Sequence, residues 1–348
     1  MSTHFHAARH ESRPSPRTPA ATPLPAHGGD LAAAEARWGR PGRGWLDLST
    51  GINPIPYPVP PFAPETWARL PGSAEEHGLR HAAARRYGAP SPEAVVAAPG
   101  TSAVIRALPR LRAPCRVAVV GPTYGEHAPA WATMGHDVYE VSSLDAVGRA
   151  DVVVVVNPNN PDGRIVPRGP LEALADRLAA KGGLLVVDEA FADCTPAASV
   201  LPGLRPGLMV LRSFGKFYGL AGLRLGFALG LPETMAPLAE ALGPWAVAGP
   251  ALAIGTRALE DIGWAAAALA RLENMAWRLD GVLADRNLEV VGGTPLFRLA
   301  RHRDARAVWE RLGRAGILAR AFADDPHLLR FGLPADDIAL GRLAQALA

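Results

Sequence analysis

The sequence predicts an α/β fold, with a large domain built on a mostly parallel sheet and a smaller α+β domain after it. Between residues 95 and 230, short continuous apolar segments alternate with segments of helical periodicity, as in buried parallel strands covered by helices. The clearest is Asp151–Val156, which contains five consecutive valines. Polar residues directly follow several of these strands. Because open α/β sheets bind ligands at the carboxyl ends of their strands, this edge is the predicted site.

The chain is expected to begin with two segments that lie outside the large domain. Residues 1–25 are rich in His, Pro, Ser, Thr and Ala and have no apolar segment of a secretory signal, so we predict a disordered tail. In residues 26–53, Asp30 is a candidate cap for a short helix, and a short strand is expected at Trp45–Leu48. This segment is predicted to pack with the small domain, across the proline-rich segment at residues 54–64.

The large domain is predicted to span residues 54–231. Its helices are expected at residues 75–87, 101–108 and over the apolar-periodic segment that ends at Lys181. Its buried strands are expected at residues 117–120, 137–141, 151–156, 184–187, 208–211 and 224–229. Four of these strands are followed by a polar residue, namely Tyr124, Asn160, Asp188 and Ser213.

The small domain is predicted to span residues 232–348, where the pattern changes to longer helices rich in Ala, Leu and Arg. Helices are expected at residues 232–242, 265–283, 304–315 and 335–347. Short strands are expected at residues 288–291, 296–299, 317–320 and 328–333.

Composition excludes several classes of function. The chain is 49% hydrophobic and 20% charged, which is typical of a soluble globular protein. A net charge of +3, dispersed arginines and 6% aromatic residues argue against nucleic-acid binding. No segment approaches the ~20 apolar residues of a membrane span. Cys115 and Cys194 have neither metal-ligand spacing nor a disulfide framework, so we expect no metal site and a reducing, cytoplasmic location.

Lys216 is a candidate catalytic residue because lysine is rare in this chain. Of 36 basic residues, only Lys181 and Lys216 are lysine. Unlike arginine, lysine loses its proton readily when desolvated and can form an imine. Lys181 lies in the last turn of a predicted helix before Gly182, where a cation is ordinary helix termination. Lys216 has no such structural role, which favours a Schiff-base lysine.

Other residues suit a pyridine aldehyde that carries a phosphate. The turn at Gly100 opens a helix with Thr101 and Ser102, and free backbone N–H groups at a helix start bind anions. Asp188 could keep a ring nitrogen protonated, and Tyr124 could stack on the ring. The remaining candidates are a donor to a phenolic oxygen and two further phosphate ligands, namely Asn160, Ser213 and Arg224.

Three segments, Ser213–Gly226, Asn157–Gly163 and Asp188–Phe191, resemble the signatures of fold-type I pyridoxal-phosphate enzymes of the histidinol-phosphate aminotransferase group. His27–Asp30, followed by Leu46–Pro54, resembles the start of the threonine-phosphate decarboxylases of cobalamin biosynthesis. The resemblance extends from about residue 26 to the end of the chain. It implies pyridoxal 5'-phosphate as cofactor, a phosphorylated amino acid as substrate, a homodimer, and decarboxylation of L-threonine O-3-phosphate to (R)-1-aminopropan-2-yl phosphate.

The resemblance also implies a role for each matching residue. Lys216 would form the imine, Asp188 would pair with the pyridinium, and Tyr124 would stack on the ring. Asn160 would contact the phenolic oxygen and the substrate. The implied phosphate ligands of the cofactor are Thr101, Ser102, Ser213 and Arg224. The other implied substrate-binding residues are His27, Gly28, Arg320 and Arg330, of which Arg330 matches the arginine for the substrate carboxylate.

The sequence departs from the family pattern at four positions. Phe191 stands where the aminotransferases usually have Tyr, and it resembles the decarboxylase branch. Leu70 replaces the Tyr whose phenol reaches the phosphate of the neighbouring subunit. Gly51 replaces a side-chain amide, and Asp162 replaces a Thr.

Two other functions are compatible with a pyridoxal-phosphate fold. One is an aminotransferase of the histidinol-phosphate type, against which Phe191 and His27–Gly29 argue. The other is the cofactor-binding half of a transcriptional regulator, but the segment before His27 is too short for a DNA-binding domain.

Overall fold

The computed structural model describes residues 27–348, so the predicted disordered tail at residues 1–25 lies outside the described residues. In the described part, the α-helices are α1 Leu31–Trp38, α2 Glu65–Ala68, α3 Ser73–Tyr87, α4 Thr101–Ala107, α5 His127–Ala132, α6 Arg168–Ala179, α7 Phe214–Phe217, α8 Pro232–Leu242, α9 Gly249–Glu260, α10 Ile262–Ala284, α11 Ala305–Arg314 and α12 Asp337–Leu347.

The strands form two separate sheets. In chain order they are β1 Leu46–Leu48, β2 Val95–Ala98, β3 Arg116–Val120, β4 Asp137–Val141, β5 Val152–Val156, β6 Leu184–Asp188, β7 Leu208–Ser213, β8 Gly226–Gly230, β9 Glu289–Thr294, β10 Phe297–Arg301, β11 Ile317–Ala321 and β12 Leu328–Gly332.

The large sheet has the strand order β2-β8-β7-β6-β5-β3-β4. Neighbours from β7 to β4 are parallel, whereas β8 is antiparallel to both β2 and β7. Every residue of β5 and β6 is buried, and hydrophobic clusters cover both faces. This explains why β5 can consist of valine alone, since both faces of a covered parallel strand are apolar. The α/β fold class with a mostly parallel sheet is therefore confirmed.

The smaller sheet has the order β1-β11-β12-β10-β9 and includes the N-terminal segment. Leu46 of β1 lies opposite Ile317 of β11 in a parallel pair. The helix α1 packs on α11, where the Trp38 and Trp309 rings meet edge to face with centroids 4.6 Å apart. Asp30 caps α1 by accepting a hydrogen bond from the Ala33 N–H at 2.9 Å.

Several elements differ from the sequence prediction, and the structure gives a clear reason for two of these differences. The helix α9 was not predicted, because its sequence begins with Gly249-Pro250 and contains Gly255. At Gly255 a Cβ would lie 2.6 Å from Leu225 and 2.8 Å from Leu79, so close packing between helices requires the glycine there. The strand expected to begin at Arg224 begins at Gly226 instead, since Arg224 has a left-handed φ of 54°.

Within residues 27–348, we find no helix with the length and apolar character needed to span a membrane. The same part of the chain contains no group of His, Cys, Asp or Glu side chains placed to hold a metal ion.

Candidate active site

The site lies at the carboxyl edge of the large sheet, where β5, β6 and β7 end side by side. Val156 at the end of β5 lies opposite Asp188, and Asp188 lies opposite Leu211 of β7. Asp188 is the last residue of β6, and the segments that follow β5 and β7 carry Asn160 and Lys216. The parallel arrangement therefore brings together residues that are far apart in the sequence, as expected for this class of sheet.

Lys216 lies in α7, the single helical turn that follows β7. Its amine is 5.7 Å from the centroid of the Phe191 ring. Its backbone carbonyl accepts a hydrogen bond from the Asn53 N–H at 2.9 Å. Desolvation by the surrounding protein, reinforced by the positive charge of Arg330, lowers the pKa of Lys216 to about 8. The structure thus makes this amine a nucleophile near neutral pH.

Asp188 is buried at the end of β6 and has a partner that the sequence did not indicate. Its Oδ2 lies 2.9 Å from Nε2 of His127, whose side chain is also buried, and its Oδ1 accepts from the Ala190 N–H at 3.1 Å. His127 is the first residue of α5, three positions after Tyr124. The Tyr124 and His127 rings meet nearly perpendicular, with centroids 6.0 Å apart. The only feature of the sequence that could have indicated His127 is its position three residues after Tyr124, a predicted site residue.

The residues of the predicted anion site meet where α4 begins against β8. Gly100 has a φ of 84°, and a Cβ there would lie 2.7 Å from Nη2 of Arg224. Gly226 lies opposite Ser213 in the sheet, and a Cβ on it would lie 2.5 Å from the Thr101 N–H nitrogen. The structure therefore brings Ser213, Arg224 and the N-terminus of α4 together, and the two glycines allow that close approach.

Ser102 also interacts with Tyr124, the residue that is predicted to stack on the cofactor ring. A hydrogen bond with Ser102 lowers the pKa of Tyr124, but desolvation is the larger effect and raises that pKa overall. The Tyr124 hydroxyl therefore stays protonated near neutral pH.

Arg330 of β12 joins the small domain to the edge of the large sheet. One guanidinium nitrogen donates to Oδ1 of Asn160, and the other donates to the Ser49 carbonyl at 2.9 Å. The guanidinium lies over the Phe297 ring, 5.1 Å from its centroid. Burial and the positive charge of Arg320 lower the pKa of Arg330 to about 10. Arg320 of β11 lies directly opposite Arg330 in the sheet, so two cations face one region.

His27 and Gly28 each contact a residue near the candidate site, namely Glu126 and Ser49. His27 Nε2 is 3.1 Å from a Glu126 carboxylate oxygen, and Glu126 follows Tyr124 by two residues. Gly28 packs on Ser49 so closely that a Cβ would lie 2.3 Å from the Ser49 carbonyl oxygen. Ser49 is also the residue to which Arg330 donates, so Gly28 and Arg330 contact the same loop.

Phe191 and Phe297 form an apolar wall beside Lys216. Their rings meet edge to face with centroids 5.1 Å apart. A Cβ at Gly51 would lie 2.9 Å from Phe297 and 3.0 Å from Phe191, so this wall occupies the space of a side chain at position 51. Leu70 lies elsewhere, with 69% of its surface exposed.

The chain matches the model of the aminotransferase class I and II family over residues 62–346. It is 46% identical to a threonine-phosphate decarboxylase of Pseudomonas aeruginosa over 325 residues, which cover 92% of this chain and 96% of that protein. A threonine-phosphate decarboxylase from a Sinorhizobium species is also 46% identical, over 92% of this chain and 97% of its own length.

A solved structure supports the same fold. The histidinol-phosphate aminotransferase of Sinorhizobium meliloti, in complex with pyridoxal-5'-phosphate, is 25% identical, with a TM-score of 0.77 over 91% of this chain and 93% of that one. From the family match and the relatives together, the chain belongs to the aminotransferase class I and II family.

Proposed function

We propose that this chain is a pyridoxal-phosphate-dependent lyase that decarboxylates L-threonine O-3-phosphate to (R)-1-aminopropan-2-yl phosphate, as a step of cobalamin biosynthesis. The observation that carries the proposal is the pair of arginines, Arg320 and Arg330, opposite one another on adjacent strands beside Asn160 and Lys216. A substrate with a carboxylate and a phosphate supplies two anions for two guanidinium groups. The reaction is the one named for two relatives that are 46% identical to this chain.

The residues present fit pyridoxal phosphate. The site holds an amine with a lowered pKa, a buried carboxylate, an aromatic ring and an anion site at the start of α4. These groups match the aldehyde, the ring nitrogen, the ring face and the phosphate of that molecule. When bound, the cofactor supplies an electron sink for the bonds of the substrate Cα.

Each residue of the site has a distinct part in holding the cofactor. Lys216 would hold the aldehyde carbon of the cofactor covalently, and as a free amine it could deliver a proton to the substrate Cα. Asp188, oriented by His127, keeps the proton on the ring nitrogen. Asn160 uses its oxygen to accept from Arg330, which leaves its NH2 group to donate to the phenolic oxygen.

The substrate-binding residues decide which bond of the Cα reacts. Arg330 would bind the substrate carboxylate, and Arg320, His27 and Gly28 are the proposed ligands of the substrate phosphate. The proposal is supported by the position of Arg320 opposite Arg330 in the sheet and by the packing of Gly28 on Ser49, to which Arg330 donates. Holding both anions fixes the rotation of the substrate about its Cα–N bond. Decarboxylation would require this orientation to favour cleavage of the bond between the Cα and the carboxylate, whereas transamination would require it to favour cleavage of the Cα–H bond.

The decisive assay measures CO2 release from threonine phosphate without any 2-oxo acid. We expect the wild-type protein and Lys181→Ala to release CO2, because the Lys181 amine donates to the Ala150 carbonyl at 2.6 Å, away from the site. We expect Lys216→Ala to lose both CO2 release and the visible cofactor band. Turnover that needs a 2-oxo acid and releases no CO2 would identify an aminotransferase of the histidinol-phosphate type instead.

We also propose that the protein is a cytoplasmic homodimer. Exposed apolar side chains near α2 support an interface, since Trp67 and Leu70 each have 69% of their surface exposed. Leu70 has no hydroxyl, so it would give no hydrogen bond to a phosphate in the partner subunit. Analytical ultracentrifugation tests this, and a protein that stays monomeric at micromolar concentration would refute the dimer. Cell fractionation tests the location, for which the free thiols of Cys115 and Cys194 are the support.

A further inference from the structure

Two charged side chains at the carboxyl ends of β6 and β7 lie on the face of the large sheet opposite to Asp188. Glu189 follows Asp188 at the end of β6, and Arg212 precedes Ser213 in β7. The backbone ladder continues here, because the Glu189 N–H donates to the Leu211 carbonyl at 2.9 Å. Since successive side chains along a strand point to opposite faces, Glu189 and Arg212 share the face opposite to Asp188 and Ser213.

These side chains form a buried ion pair with several further contacts. Nη2 of Arg212 lies 3.0 Å from Oε2 of Glu189 and donates to the Ser199 hydroxyl at 2.9 Å. Ser199 donates to the same Glu189 oxygen at 2.7 Å, and the Val200 N–H donates to Oε1 at 2.7 Å. Nη1 of Arg212 is 3.7 Å from Oδ1 of Asp193. The Arg212 guanidinium, which belongs to β7, thus contacts both Glu189 at the end of β6 and Asp193 in the segment after Phe191.

Stability alone is a poor reason for this cluster. The side chains of Arg212 and Glu189 are 5% and 0% exposed, and a buried ion pair is often no more stable than well-packed apolar residues. The hydrogen bonding is also incomplete. Among the described residues, Nε of Arg212, Oδ2 of Asp193 and the Tyr87 hydroxyl are buried without a hydrogen-bond partner. Unpaired buried polar atoms destabilise the folded state, so the cluster is better explained by the position that it imposes.

We propose that Arg212 is a positioning residue. It would join the ends of β6 and β7 on the face opposite to Asp188 and so set the distance between Asp188 and Lys216. Arg212 lies four residues before Lys216, and Glu189 lies directly after Asp188, so each partner is covalently close to one of the two groups. This inference rests on the proposed function, because the separation matters for a cofactor held between them.

The test uses two conservative variants, Arg212→Lys and Glu189→Gln, and one matched control. Lysine keeps the charge but lacks the planar fork that reaches Glu189, Ser199 and Asp193 together. Glutamine keeps the shape and loses the charge. The control is Arg205→Lys, which removes a comparable fork, since Arg205 pairs with Glu172 and Asp176 of α6 at 3.0 Å each.

Two readouts separate positioning from a general loss of stability. The first is the dissociation constant of the apo-protein for pyridoxal phosphate, and the second is the pH midpoint of the visible cofactor band. For both variants we expect a dissociation constant raised about tenfold and a midpoint shifted by about half a unit. Arg205→Lys should keep the wild-type values of both.

The inference is wrong if the folded variants bind the cofactor within about twofold of wild type with the same midpoint. It is also wrong if neither variant folds, because the cluster would then be a requirement of the fold. If Arg212→Lys alone fails to fold, the inference is tested by the dissociation constant and the pH midpoint of Glu189→Gln. A wild-type protein that binds no pyridoxal phosphate would refute the proposed function, and this inference with it. Wild-type binding with equal binding by the variants refutes only the role of Arg212.

Discussion

At the scale of single residues, the reactivity of Lys216 depends on the groups around its amine. Burial lowers its pKa to about 8, Arg330 acts in the same direction, and the negative charge of Asp188 opposes them. At pH 7.5 roughly a quarter of such an amine is neutral, against roughly one part in a thousand for an ordinary lysine. Only the neutral amine can attack an aldehyde, so the lowered pKa makes Lys216 a far better nucleophile near neutral pH than an ordinary lysine.

The rate at which the apo-protein captures pyridoxal phosphate should therefore rise with pH and level off above a midpoint near 8. Arg330→Met removes a positive charge that lowers the pKa of Lys216, so the midpoint should move to higher pH. Stopped-flow absorbance over pH 6–10 measures it, with the exposed Arg301→Met as control. A midpoint that stays the same in Arg330→Met would show that this charge does not act on Lys216.

Asp188→Ala should weaken cofactor binding by about 10- to 100-fold, the range for one charge-assisted hydrogen bond, and leave almost no turnover. The reason is that a ring nitrogen without its proton is a poor electron acceptor. Fluorescence titration and CO2 release measure the two effects. Asp176→Ala removes a partly exposed carboxylate that pairs with Arg205 and should change neither. Near-normal turnover of Asp188→Ala would contradict the assignment.

At the scale of elements, the start of α4 and the segment before β8 fit together through glycines. Gly100 adopts a φ of 84° and lies against the Arg224 guanidinium, while Gly226 lies against the Thr101 backbone. Arg224 itself has a left-handed φ of 54°. A side chain at either glycine would separate the start of α4 from Arg224, and we propose that the helix start and the arginine together bind one anion.

Gly100→Ala should raise the dissociation constant for pyridoxal phosphate about tenfold or more by displacing Arg224. The matched control is Gly135→Ala, because Gly135 has a nearly identical φ of 82° but open space around its Cβ position. Both variants should lose about 1–2 kcal/mol of stability from the left-handed backbone. Equal cofactor affinity in the two variants would show that the contact with Arg224 is unimportant.

At the scale of the whole molecule, the N-terminal segment connects the two sheets at the site. It adds β1 to the small sheet, places Ser49 against Arg330, and then pairs the Asn53 backbone with Lys216. The proposed substrate arginines, Arg320 and Arg330, lie in the small sheet, whereas most of the proposed cofactor residues lie at the large sheet. Their relative position therefore depends on how firmly this segment is held.

Trp38→Ala should lower the free energy of unfolding by about 3 kcal/mol, because Trp38 packs on Trp309 and donates to Glu310 at 3.0 Å. Urea denaturation followed by circular dichroism measures this. Trp277→Ala provides the control, since 73% of Trp277 is exposed, and it should change stability by less than about 0.5 kcal/mol. A smaller effect for Trp38 than for Trp277 would show that α1 does not anchor the segment.

Much of the fold could be read from local pattern, because that information resides in neighbouring residues. The five valines of β5 require a strand covered on both faces. Gly182 after Lys181 correctly indicated that a helix ends nearby, but α6 ends at Ala179, so Lys181 lies two residues beyond the helix and not in its last turn. The helix α9 was not predicted, because its Gly255 is required by close packing against Leu79 and Leu225, which lie far away in the chain.

The site divides in the same way. The sequence by itself determined Lys216 as the candidate amine, from the scarcity of lysine, and Asp188 and Asn160 as candidate partners, from the strand ends and the family motifs. Three contacts became visible in the folded molecule alone. His127 lies within hydrogen-bond distance of Asp188, Arg330 donates to Oδ1 of Asn160, and Arg212 pairs with Glu189 at the ends of β6 and β7. The physical reason is that a chemical type can be recognised from one residue. A contact depends on sheet register, and register is set by the packing of the whole chain.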